Sequence, residues 1–320
     1  MQVPNNNLNK ANNYVNNFAV TGQSGYTVIL FYKYIGITDP VALMGRERAV
    51  CELLELTGRI IIAEEGINAT LEGTDANIAK YMAHIKRDPR FKDLNIKLSE
   101  GMGEAFPRLS IKVKMEIVST GLPAHIRPEI SRAPYIQPYE LKKKYEVNRE
   151  SQMYNKNGKI QNDFVVVDMR NDYELAAGAF DKTIDLNLEN SRDLIKATEE
   201  LKKRIHLNTE IITACTGGVR CEKMATYLID QGFTNVKQLH NGMHAYMEKY
   251  PGENFKGSLY TFDNRKVMNW GGDNREIIGK CKFCATPSER YENCDNKLCH
   301  KHYIVCDECV ASKGLYCGQC

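Results

Sequence analysis

The pattern of apolar positions divides the chain into stretches of different period. From Tyr26, YTVILFYKYI is an apolar, β-branched run of the kind that forms a buried strand. Asp39-Pro40 then opens a helix, with Asp as N-cap and Pro as first helical residue. Along it Val41, Met44, Ala49, Leu53 and Leu56 are expected to face inward. GRIIIAEEG and INATLEG read as two strands meeting at Gly66, and Thr74 with Asp75 caps a second helix to about Lys86. LSIKVKMEIV alternates, placing Ile111, Val113, Met115 and Ile117 on one face and Lys112, Lys114 and Glu116 on the other. Strand–helix–strand–strand–helix–strand predicts a ferredoxin-like α+β domain over 25–120. Ahead of it, residues 1–24 are Asn-rich without a clear period and read as a flexible tail.

Residues 119–137 carry three prolines and no period, which sets a linker at 121–137. From Pro138 the pattern becomes alternating helix and strand. FVVVD (164–168) and EIITA (210–214) are short, continuously apolar strands, as a parallel sheet covered on both faces requires. A polar helix is expected around 191–206, another from Cys221-Glu222 to about Gln231 with Gly232 as its stop, then a strand at NVKQL. This predicts a doubly wound α/β domain over 138–252, whose ligands gather outside the carboxyl ends of its strands. A second linker (253–280) and a Cys-rich region (281–320) complete the chain.

Composition changes the picture in two places. With 320 residues, 42% hydrophobic and 26% charged, the chain can bury cores for two or three domains. A net charge of +3 implies no nucleic acid by itself but allows a local basic face, for which Arg108, Lys112 and Lys114 qualify, with Lys86, Arg87, Arg90 and Lys92 nearby; the other reading is a solvated strand face. No apolar run reaches membrane-spanning length and no secretory pattern opens the chain, so a cytoplasmic protein with reduced thiols is expected. The eleven cysteines are the second place: eight lie in 281–320, the others being Cys51, Cys215 and Cys221. Cys51, within RAVCELLEL, reads as a small core residue, and Trp270 beside Gly271-Gly272 as a docking residue between domains.

Cys215 stands at the carboxyl end of EIITA, followed by Thr216, Gly217, Gly218, Val219 and Arg220. Two glycines let successive amides turn inward as a nest for negative charge. The next helix adds the positive end of its dipole, and Arg220 a guanidinium suited to an oxyanion. Together these favour thiolate over thiol, making Cys215 a candidate nucleophile whose charged intermediates are held by amides. Cys221 is either a resolving thiol or packing in the first helical turn. In the tail, Cys281-x2-Cys284, Cys294-x4-Cys299, Cys306-x2-Cys309 and Cys317-x2-Cys320 are four knuckles for two structural Zn²⁺ sites, paired sequentially or interleaved. His300 or His302 is an alternative ligand in one of them.

The loop resembles the six-residue active loop of rhodanese-type sulfurtransferases. VDMRNDYELAAGAF (167–180) resembles their Asp-x-Arg-x-x-x-Glu element at Asp168, Arg170 and Glu174, and QLHNGMHAY (238–246) their late Gly-rich segment, with Asn241 in place of the first glycine. AEEGINATLEGT (63–74), PRLSIKVKMEIVSTG (107–121), DMRNDYE and CTGGVRCEKMATYL together resemble the rhodanese-containing tRNA uridine hydroxylases over almost the whole chain. That resemblance implies oxygen-dependent 5-hydroxylation of the wobble uridine, Cys215 as catalytic cysteine, molecular oxygen as co-substrate, and tRNA rather than DNA as partner of the basic strand face. Asp168 and Arg170 are expected to orient loops at the active edge. No flavin or nicotinamide motif is visible. The loop is equally suited to a sulfurtransferase carrying a persulfide on Cys215, though a simple sulfur carrier needs neither the basic domain nor the zinc tail.

Overall fold

The computed structural model describes residues 24–148, 163–270, 276–299 and 301–320. Nearly all of the Asn-rich tail, Gly271-Gly272 and His300 lie outside the described residues. The chain forms two compact units, one running to Lys33 and over Ile37–Lys114, the other comprising Tyr34–Gly36 and Met115–Cys320. Among the described residues no helix is long and apolar enough to cross a membrane.

The first unit contains β1 (Tyr26–Tyr34), α1 (Pro40–Leu53), β2 (Thr57–Ala63), β3 (Gly66–Thr74), α2 (Asp75–Ile85), β4 (Lys97–Glu100) and β5 (Leu109–Val113). Its sheet runs β4-β1-β3-β2-β5, the ferredoxin-like order with one strand added. The closing strand of the motif is therefore β4, four residues of mixed polarity, and not LSIKVKMEIV as expected. That segment supplies β5, parallel to β2 at the far edge, and only as far as Val113. Beyond it the alternation has no sheet to serve: Val113 is 37% and Met115 93% exposed, whereas Ile111 and Ile117 are buried.

Helix α1 also departs from its pattern. Leu43, Glu47 and Cys51 face inward, while Val41 and Leu53 are exposed. Glu47 fits there because the Tyr81 hydroxyl donates to its carboxylate at 2.8 Å and His84 lies within 3.3 Å, so the buried charge is not left unpaired. Cys51 is fully buried, and burial pushes its thiol up to about 12, as an inert core residue requires. Thr74 does cap α2, accepting from the Asn77 amide. Asp39 takes the N-cap position of α1 ahead of Pro40, but its side chain makes no capping bond; Arg90 takes its carboxylate at 2.5 Å.

The second unit begins with β6 (Tyr135–Ile136), α3 (Pro138–Val147), β7 (Phe164–Asp168), α4 (Asp172–Leu175), β8 (Gly178–Phe180) and β9 (Thr183–Asp185). It continues with α5 (Leu194–Arg204), β10 (Glu210–Ala214), α6 (Val219–Asp230), β11 (Val236–Leu239) and α7 (Gly242–Lys249). The five-stranded sheet β6-β11-β10-β7-β9 is parallel throughout. Val165, Val167 and Ile211 pack with Leu201, Met224 and Leu228 on one face; Phe164, Val166 and Ile212 pack with Leu141, Tyr246 and Met247 on the other. Double coverage explains why β7 and β10 are buried at every position and mostly apolar.

Neither expected linker behaves as one. In 121–137, Leu122, Ile126 and Ala133 join the first of these cores and β6 extends the sheet. In 253–280, β12 (Phe255–Gly257) pairs with β8, and β13 (Leu259–Tyr260) pairs with β14 (Val267–Met268). Their apolar residues are scattered among prolines in the first segment and among glycines and polar residues in the second, so periodicity does not reveal them. The Cys-rich region adds β15 (Tyr291–Asn293), β16 (His302–Ile304) and α8 (Asp307–Lys313).

Candidate active site and metal centres

Strand β10 ends at Ala214 and delivers Cys215 to the carboxyl edge of the sheet. Helix α6 opens at Val219, two residues earlier than expected, because Gly218 takes φ +101° and turns the chain at the N-cap. The helix therefore begins within the loop, and its first amides lie at the sulfur. Gly218 N–H donates to Cys215 Sγ at 3.2 Å, and the Cys221 amide and thiol donate to it as well. Burial alone pushes this fully enclosed thiol up. The Cys221 thiol, the Arg220 charge and the two amides outweigh that and bring it down to about 6. Cys221 moves the opposite way, driven well above the ordinary thiol range by burial and by its charged neighbour, with Thr213 and Arg220 opposing. It stays a thiol and serves as a hydrogen-bond donor to Cys215.

The loop is shaped from behind by α7, a support the sequence reading missed. Met243 N–H donates to the Cys215 carbonyl at 2.9 Å and His244 N–H to that of Thr216 at 3.1 Å. With these carbonyls engaged by α7, the amide-bearing side of the loop is left for the sulfur. Gly242, at φ +69°, lies so close that a Cβ would meet the Cys215 oxygen at 2.6 Å and the Gly218 nitrogen at 2.8 Å. Asn241 adopts φ +63°, a left-handed conformation that asparagine tolerates. The Gly-rich resemblance of 238–246 was the available signal.

Two buried ion pairs brace the same edge. Arg170 binds Asp168 through Nε and Nη2 at 2.7–3.1 Å and also donates to the Gly178 carbonyl at 2.7 Å; both side chains are fully buried. Arg220 is held by Glu174 through two bonds of 2.5 and 2.8 Å. The guanidinium expected to face an oxyanion is thus committed to a carboxylate, and acts on Cys215 as a nearby charge. Its face stands 5.6 Å from the centre of the Phe262 ring. Thr216 Oγ1 is buried with no hydrogen-bond partner among the described residues. Cys215 itself is fully buried and belongs to the same core as Val167, Met169, Leu188 and Met224.

Arg108, Lys112 and Lys114 come together in the first unit, around a hollow of about 450 Å³ that also includes Arg59 and Phe106. None of the four basic side chains has an ion pair among the described residues. Arg59, on β2, was not singled out from sequence because only the β2–β5 pairing brings it there.

The tail cysteines form two groups, Cys281, Cys284, Cys306 and Cys309, and Cys294, Cys299, Cys317 and Cys320. Pairing is interleaved: first knuckle with third, second with fourth. Within each group all four sulfurs lie within 4.8 Å of one another, close enough to hold one metal ion. His302 joins neither group. Its ring stacks on Tyr291 at 4.9 Å, and burial with the nearby Lys266 charge lowers its pKa to about 4, keeping it neutral. Trp270 packs edge-on to His244 at 5.2 Å.

Residues 26–117 match the model of the UPF0176 acylphosphatase-like domain, 151–249 that of the rhodanese-like domain, and 256–320 that of the rhodanese C-terminal domain. A tRNA uridine(34) hydroxylase of Cytophaga hutchinsonii is 37% identical over 92% of this chain and 89% of its own. One of Staphylococcus aureus is 37% identical over 92% of this chain and 88% of its own, and one of Staphylococcus carnosus 35% identical over the same shares.

Proposed function

Since the chain belongs to the tRNA uridine(34) hydroxylase family, we propose that it hydroxylates C5 of the wobble uridine of tRNA, with Cys215 as its reactive centre. The observation that carries this reading is the setting of the Cys215 sulfur, which receives the Cys221 thiol, lies near the Arg220 charge and accepts the Cys221 and Gly218 amides, the last at 3.2 Å, so that the thiol is held well below its ordinary range.

A thiolate attacks an electron-poor carbon, and in uracil that carbon is C6, whose neighbour C5 becomes electron-rich when sulfur adds. C5 then reacts with molecular oxygen: one oxygen atom replaces the C5 hydrogen as hydroxyl. The other leaves as water, taking two protons and two electrons from an outside reductant. Expulsion of the thiolate restores the ring. The Cys221 thiol and the Gly218 amide stabilise the sulfur anion before addition and receive it again at the end. Because Cys215 is closed off from solvent, the base reaches it only after residues around it move, and the Thr216 hydroxyl, without a partner among the described residues, then bonds the uracil edge. Asp168, Arg170 and Glu174 position the loop and its arginine without moving protons. Arg108, Lys112 and Lys114 bind tRNA phosphates.

The tail groups hold zinc. A tetrahedron of sulfurs about 2.3 Å from a central ion has edges of about 3.8 Å. The Cys284–Cys306, Cys294–Cys320, Cys299–Cys317 and Cys317–Cys320 separations are 3.5, 3.6, 3.6 and 3.7 Å. When bound, the ions supply cross-links and no reactive position, since four thiolates close each site. The reaction belongs in the cytoplasm, where tRNA is found and thiols stay reduced.

Mass spectrometry of tRNA nucleosides tests the reading, in cells lacking the gene and carrying either the wild-type or the Cys215→Ser chain. Loss of 5-hydroxyuridine derivatives with Cys215→Ser is expected. Undiminished hydroxylation refutes the role of Cys215, and loss of thiolated nucleosides alone points to sulfur transfer.

A further inference from the structure

A larger hollow, of about 770 Å³, lies within the second unit, among α4, the β13–β14 hairpin and the Cys-rich region. Lys266, Lys280, Lys282 and Lys301 rim it, and only Asp172 and Glu189 contribute carboxylates. None of these lysines forms an ion pair among the described residues. Lys301 donates instead to Gln319 Oε1 at 2.9 Å, and Lys282 stands 5.4 Å from the centre of the Tyr303 ring. Elsewhere in this unit Lys144, Lys223 and Lys237 are each bonded to a glutamate. Four ammonium groups against two carboxylates leave an excess of positive charge in one concavity, which attracts a polyanion.

The wall between them is aromatic. Tyr260 meets the Tyr291–His302 stack edge-on, at 5.0 and 5.6 Å, and Tyr173 meets Tyr260 edge-on at 5.4 Å. The Tyr291 hydroxyl donates to the Tyr173 carbonyl, tying the tail to α4. This wall leads back to the proposed reactive centre: Phe262 packs on Tyr260 at 5.2 Å and lies under the Arg220 guanidinium, while Tyr173 adjoins Glu174, the partner of Arg220.

We propose that this cleft binds a single-stranded stretch of the RNA substrate, its lysines on phosphates and the half-buried rings of Tyr173 and His302 against unstacked bases next to the reacting uridine, with the buried Tyr260 and Tyr291 packed against those two rings. Unstacked bases with a tracked backbone are what alternating aromatic and basic groups recognise, whereas a duplex hides its base faces and an acidic peptide has no use for the rings. The inference rests on tRNA being the substrate, but not on the hydroxylation chemistry.

The test measures binding of a fluorescent single-stranded oligoribonucleotide of about seven nucleotides to the full-length protein across a salt series. Each phosphate contact contributes about 0.7 to the slope of log affinity against log salt on single strands. Lys266→Ala/Lys301→Ala is expected to bind more weakly and to lower that slope by about 1.4, while Lys266→Arg/Lys301→Arg keeps it. An unchanged slope in the alanine pair, or an equal loss in the arginine pair, overturns the inference. So does polyglutamate binding as tightly as RNA through the same lysines. Cys215→Ser is expected to bind as wild type, so the binding result and the nucleoside result can fail separately.

Discussion

Cys215 and the eight cysteines of 281–320 place the same side chain in opposite settings. Cys215 sits inside a core of large aliphatic residues, and its negative charge is balanced by amides and a guanidinium already in position. The tail has little core apart from its thiols: Cys281, Cys294, Cys309 and Cys317 are themselves among its buried residues, with Tyr303 and Val305. One sulfur therefore depends on a fold built around it, while eight sulfurs, gathered in two groups of four that could each hold an ion, are proposed to hold a fold together. A lone reactive thiolate needs prior structure; a structural thiolate creates it.

The largest test of this contrast is metal removal. A strong chelator should unfold 281–320, since zinc contributes roughly 10–16 kcal/mol to the folding of small zinc modules. Limited proteolysis should then cut the tail while the parallel sheet stays protected. A metal-free tail that remains ordered breaks the comparison. Next, Asp168→Ala leaves Arg170 charged and unpaired in a fully buried site. It should cost about 3–5 kcal/mol in urea unfolding, where the same change on the surface costs little.

Gly242→Ala presses a methyl group onto the Cys215 carbonyl from a left-handed conformation. A loss of about 1–3 kcal/mol is expected, with slower hydroxylation and the zinc content unchanged. The smallest effect sharpens the electrostatics. Glu174→Gln/Arg220→Gln removes the guanidinium without stranding its partner, so the pH midpoint of Cys215 alkylation should rise from about 6. The sign for stability follows from the same value. A thiol depressed in the folded state stabilises it most above the unfolded thiol value, and that contribution is lost as pH falls through about 6. Alkylation that follows an ordinary thiol profile in the wild-type protein contradicts the amide nest.

How far the site could be read depended on whether each signal was local. Strands β7 and β10 have the expected bounds because both faces are covered, which buries every position and favours an apolar run. CTGGVR was recognisable because the thiol, the turn and the helix start are consecutive. The inner face of α1 was misread because it carries Glu47, whose partners Tyr81 and His84 come from another helix. Strand β4 is too short and polar to show a period, and 121–137 and 253–280 bury scattered residues that no period marks.

By itself the sequence determined two sheets of different character, a thiol at a strand end beside a glycine turn, and four cysteine knuckles. These are all properties of neighbouring residues, and backbone geometry over a few positions suffices to produce them. Only the tertiary structure decided that α7 braces the loop through Gly242, that Glu174 occupies Arg220, that the knuckles interleave, and that lysines from distant segments share a cleft with tyrosines. Each of these joins groups far apart in the chain, and such contacts are fixed by how whole elements pack.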